Sequence, residues 1–139
     1  MKFVKILEES VSAAKKASDH KSEISQVITE LTNSIEEFTN NKVTLIIDEL
    51  IQSGLQKTIF FLSDIKPNKE MALVLIELDN NDNKIVISKW KESDEGYPVR
   101  ISYDNKDIYC MNKEELEQAL SDLISSIKVG TILFNSINK

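Results

Sequence analysis

His20 and Cys110 are the only histidine and the only cysteine in the chain, and that scarcity limits its chemistry at once. A Ser/His/Asp or Cys/His nucleophile arrangement needs an imidazole base beside an activated hydroxyl or thiol. Here a single base is available, in the polar run Ser18-Asp19-His20-Lys21-Ser22. Cys110 alternates with Ile108 and reads as a small core residue. One cysteine also forms no disulfide within the chain and no thiolate metal site, which suits a reducing, cytoplasmic setting.

Carboxylates offer two further arrangements. Glu77 and Asp79 lie two apart, so on a strand they share one face, as a metal-dependent nuclease or phosphoryl-transfer centre requires. Lys84, Lys66, Asp64 and Asp48 could supply its lysine and third acid. Asp79-Asn80-Asn81-Asp82-Asn83 has oxygen ligands at the alternate positions of a calcium loop. Lys84 occupies that loop's glycine position and Trp90 its bidentate glutamate position, so the run is expected to be a hairpin turn. Gly-rich phosphate loops, nucleophile elbows and paired-histidine zinc motifs are missing from the sequence. No cofactor is therefore expected.

A different constellation suits binding. Trp90, Glu92, Asp94, Glu95 and Tyr97 place two aromatics and three acids within eight residues, ahead of Pro98, the composition of an interaction hot spot. Either the two rings are displayed to a partner or they fold back over the sheet edge. A displayed acidic loop selects a partner with a basic patch.

The elements that position these residues begin with an apolar stripe at Phe3, Leu7, Ala14, Ala17, Ile24, Ile28, Leu31, Ile35 and Phe38. Its spacing by threes and fours predicts helix over 3–39, with Ser10 and Lys21 the only polar occupants of the seam. One rod of about 50 Å is longer than a small domain, so part of it should project unless the helix breaks near Asp19 into a hairpin. The stretch from Ser10 to Ser18 is thin-sided and admits a close neighbour. Ile24, Ile28, Leu31 and Ile35 are the expected association residues, with a homodimer as one outcome. Asn40-Asn41 should end the helix.

Val43, Ile46, Ile47, Leu50 and Ile51 repeat the helical spacing ahead of Gly54, which predicts a second helix over 42–53 despite its β-branched content. From residue 57 short β-branched runs alternate with turn residues: 58–62, 71–78, 85–90, 99–103 and 107–111. This predicts a five-stranded antiparallel meander whose second strand is buried on both faces. Asn112 and Glu115 form an N-cap pair ahead of the stripe Leu116, Ala119, Leu120, Leu123, Ile124 and Ile127, and a short terminal helix should follow a break at 128–130, with strand over Thr131 to Phe134 as the alternative. The expected fold is a single α+β domain over 1–139, with N-terminal helices, the meander, and C-terminal helices on one sheet face.

Composition narrows the function. A net charge of −6, with acids interleaved among lysines, argues against phosphate-backbone binding. No run approaches the roughly 18 apolar residues of a membrane span, and Glu8 and Glu9 interrupt the first apolar run where a signal peptide needs a long apolar core. Lysine-dominated cations and abundant Ile and Asn suggest a bacterial or phage source. The expectation is a non-enzymatic acidic module that occupies a partner's surface, in the manner of an immunity protein, inhibitor, anti-defence factor or chaperone. The alternatives are a nuclease-like enzyme using Glu77 and Asp79, and a structural homo-oligomer held by its N-terminal helices.

Overall fold

The first stripe folds as one unbroken helix, α1 (Lys2–Phe38), in the computed structural model, which describes residues 2–50, 70–79 and 82–138. No break occurs at Ser18 to Lys21. At 1.5 Å per residue its 37 residues span about 55 Å. Asn40 and Asn41, both left-handed at φ 58° and 64°, turn the chain out of the helix as expected, since asparagine tolerates that conformation better than most residues. Thr39 locks the exit. Buried there, its Oγ1 donates to the Ile35 carbonyl at 2.8 Å and accepts from the Val43 amide at 3.1 Å.

Five strands follow, β1 (Val43–Glu49), β2 (Met71–Glu77), β3 (Asn83–Ser93), β4 (Gly96–Tyr103) and β5 (Lys106–Cys110), in an antiparallel sheet of order β1-β2-β3-β4-β5. This is the expected α+β meander with one change of membership. Residues 43–49 are strand, not helix. Val43 and Leu45 enter the main core, while Ile46 and Leu50 pack with Ala72, Val74 and Ile76 in a second cluster. Apolar residues on both faces erase the alternation that marks a half-buried strand, leaving a spacing that imitates a helix. Ile51, Gly54 and the strand expected over 58–62 lie outside the described residues.

β2 is buried over all but its first residue, as its unbroken apolar run implied. Asp104 and Asn105, with φ of 52° and 59°, make the tight β4–β5 turn. β5 leads into α2 (Lys113–Ile124), whose start is capped as expected. The Asn112 side chain accepts from the Glu115 amide at 2.9 Å, and the Glu115 carboxylate accepts from the Met111 amide at 3.0 Å. The terminal helix α3 (Ile127–Ile137) begins after Ser125 and is capped by Ser126, so Gly130 lies within it and the break falls earlier than expected.

One sheet face carries the core: Leu73, Leu75, Trp90, Val99 and Ile101, covered by Ile24, Val27 and Ile35 of α1 and by Leu116, Leu120 and Leu123 of α2. Val129 of α3 joins it. Among the described residues no helix is long and apolar enough to cross a membrane.

Leu120 is almost fully buried in this layer. Leu120→Ala is therefore expected to cost about 2–5 kcal/mol in chemical denaturation; a loss below about 1 kcal/mol would place α2 on the wrong face.

Candidate functional site

The sheet supports α1 only in part. Ile24, Val27 and Ile35 are buried and Ile28 and Leu31 pack against the core, so the four expected association residues, Ile24, Ile28, Leu31 and Ile35, are corrected to core residues of their own chain. Phe38, the last of the stripe, is exposed instead. Every residue from 2 to 16 is exposed. In that segment Phe3 (68%), Val4, Ile6, Leu7 (62%) and Val11 (70%) keep their large apolar side chains in solvent. Isolated exposed apolar residues are common, but five within nine positions form a continuous patch of the kind that marks an interface. Val4, Leu7, Glu8, Val11, Ser12 and Lys15 line a shallow groove along it.

The base of this projecting rod is held by the β3–β4 hairpin. His20, half-buried, meets the Tyr97 ring edge-on, with centroids 5.2 Å apart and planes at 67°. The Tyr97 hydroxyl donates to Glu23 Oε1 at 2.7 Å. Partial desolvation and the Glu23 hydrogen bond both raise the Tyr97 pKa above its ordinary 10. Gly96 closes the contact. Its φ of +95° suits glycine alone, and a Cβ there would stand 2.8 Å from the His20 Cβ. His20 thus acts as a packing residue at the α1–hairpin junction.

The acidic and aromatic loop divides between core and surface. Trp90 is only 4% exposed, opposite Ile101 in the core, so the displayed pair of rings is corrected: Trp90 faces the sheet's packed side and Tyr97 leans on α1. Glu92, Asp94 and Glu95 are exposed. Glu92 has its pKa raised by partial desolvation, an effect that nearby Lys21 opposes. The three acids therefore crown the hairpin beside the point where α1 leaves the body.

The candidate chemical groups are scattered. Glu77 ends β2 as a buried side chain, whereas Asp79 lies beyond the strand and is exposed. Among the described residues no three His, Cys, Asp or Glu side chains gather as a metal ion requires. Cys110 is buried, and desolvation, with Glu115 nearby, pushes its thiol up to about 11, the opposite of an activated nucleophile. A cleft of about 190 Å³ between β3, β4 and the start of α3, walled in part by Ser88, Lys89, Ser102 and Lys128, is smaller than the usual small-molecule site. Comparison with protein-family models, curated proteins and solved structures finds no match.

Sequence reasoning missed that the exposed residues are those at the start of the stripe. The stripe itself carries no signal for this, because Phe3 and Leu7 are as large and as regularly spaced as the buried residues from Ile24 to Ile35.

Two outcomes follow from this junction. Gly96→Ala is expected to destabilise the fold by about 1–3 kcal/mol, from the strained φ and the His20 contact, while Leu7→Ala, in solvent, leaves the denaturation midpoint nearly unchanged. The raised Tyr97 pKa favours the folded state while the phenol is protonated in both states. That contribution is complete below about pH 10 and lost as pH rises through the folded value. Tyr97→Phe should accordingly show a shallower loss of stability than the parent between about pH 9.5 and 11.5; parallel curves would mean that folding does not raise the Tyr97 pKa.

Proposed function

We propose that this chain is a protein-interaction module that acts by occupying a partner's surface, with the projecting segment of α1 as its docking element. The observation that carries this reading is the exposure of Phe3, Val4, Ile6, Leu7 and Val11 along one helix that the sheet does not reach. An amphipathic helix of this kind is a recurrent recognition device, read by a groove or by another helix through residues spaced three and four apart. Glu92, Asp94 and Glu95 at its base add a negative rim that favours a partner with a basic patch.

The reading requires no turnover. It fits the single, buried, unactivated thiol, and with it a reducing cytoplasmic setting. Immunity proteins, inhibitors, anti-defence factors and chaperones work by occupation in this way, although fold alone selects none of them.

Affinity capture from the native host, with the wild type beside Leu7→Asp and Asp94→Lys, tests the reading. A partner retained by the wild type should be lost with Leu7→Asp and weakened with Asp94→Lys, while far-UV circular dichroism stays that of the parent because both sites are exposed. Retention of every partner by both variants would overturn it, as would magnesium-dependent nucleic-acid hydrolysis abolished by Glu77→Gln or Asp79→Asn.

A further inference from the structure

We infer that the sheet face opposite the main core binds single-stranded nucleic acid, with Lys89, Lys91 and Arg100 against its phosphates and Tyr109 under one base. The strand register assigns these residues to a common face. Trp90, Ile101 and Ile108 stand side by side across β3, β4 and β5 and join the core, so the residues that alternate with them lie on the other side. Two cross-strand rows result, Lys91, Arg100 and Tyr109 in one and Lys89, Ser102 and Asp107 in the next. Lys89, Lys91 and Tyr109 are exposed there.

The arrangement opposes folding unless an anion joins it. Lys91 and Arg100 stand directly opposite each other, and like charges in that position destabilise a sheet. Arg100 is the only arginine in the chain. It is half-buried, and its Nε is shielded from solvent with no hydrogen-bond partner, a cost that a bound acceptor removes. Among the described residues none of Lys89, Lys91 and Arg100 is ion-paired, although Asp107 shares their face.

The fold thus sorts charges that the sequence interleaves. Glu92 follows Lys91 along β3 but pairs with Val99 on the core side, which leaves the cations together on the open side despite a net charge of −6 for the chain. Three cations in two adjacent rows call for several negative charges in a small area, which a phosphate backbone supplies and a lone carboxylate does not. The row of Lys89 and Ser102 leads into the cleft of about 190 Å³ that Asp104 and Lys128 also line. Lys128 spends one Nζ donor on the Val86 carbonyl, at 3.2 Å, and keeps two more for an anion. Tyr109, 56% exposed and beside Arg100, completes the pairing of a stacking ring with a cationic track by which proteins hold single strands. Stacking on it requires an unpaired base, so the face selects single strand over duplex.

Fluorescence anisotropy of a labelled oligothymidylate of about 12 nucleotides, titrated with the full chain, tests this. Between about 50 and 200 mM salt the affinity should fall with a log–log slope of about −2 to −3, from roughly 0.7 per phosphate neutralised. Lys91→Gln and Arg100→Gln should each weaken binding several-fold and take about 0.7 off that slope. Tyr109→Ala should weaken it about fivefold or more with the slope unchanged, and Tyr109→Phe should restore it. Without oligonucleotide, Lys91→Gln should keep or raise the denaturation midpoint, because it relieves the repulsion with Arg100. Its loss of binding is then not a loss of fold.

An anisotropy that stays flat at low salt and high micromolar protein overturns the inference. So does a duplex of the same length that binds as tightly, or binding that Lys91→Gln and Tyr109→Ala leave unmoved. Displacement of the probe by polyglutamate as readily as by unlabelled oligothymidylate also overturns it, and makes an acidic protein segment the occupant. Leu7→Asp, on the projecting helix, should not alter the titration, so the docking role of α1 stands or falls separately.

Discussion

A helix of about 55 Å lies on a sheet about 24 Å wide, at roughly 4.8 Å per strand, and that mismatch of lengths governs the molecule. The width of the five-stranded meander is less than half the length of α1. The residues that extend past it, 2–16, are exposed, however apolar they are. The C-terminal half of the helix therefore builds the domain, and the N-terminal half carries an amphipathic surface that the domain cannot bury.

Two attachments keep that division sharp. At one end Thr39 bridges the last helical turn to β1 through the Ile35 carbonyl and the Val43 amide, and Thr32 Oγ1 donates to the Leu45 carbonyl on the sheet's β1 edge. At the other end Gly96, Tyr97, His20 and Glu23 clamp the helix to the β3–β4 hairpin. Between these points the helix runs from β1 to β4 over the core. Beyond the second clamp, residues 2–16 are exposed, so among the described residues the hairpin fixes where the rod begins as well as how the core is covered.

The same arrangement redistributes the residues that looked most interactive. Trp90 has the composition of a hot-spot anchor, yet its place opposite Ile101 on the covered face of β3 makes it core. Tyr97 becomes a junction residue. The acids that follow Trp90 remain exposed, Glu92 near the end of β3 and Asp94 and Glu95 in the turn after it. Glu77 and Asp79, two apart in sequence, separate because β2 ends at Glu77 and the chain turns before Asp79.

Local chemistry was enough, in the sequence alone, to specify helix over most of residues 3–39, its Asn40-Asn41 terminus, the capped α2 and strands β2 to β5, but not whether the first helix is one projecting rod or a hairpin broken near Asp19. These features follow from periodicity, caps and turn residues, whose causes lie within a few positions of their effects. Tertiary structure decided the rest. Residues 43–49 became strand because pairing with β2 and burial on both faces outweighed a helix-like spacing. It also decided which half of a continuous stripe was buried, since Ile24 to Ile35 and Phe3 to Val11 have the same period and differ in what stands opposite them. Periodicity records that a face is apolar; only the position of the sheet determines whether that face meets a core or solvent.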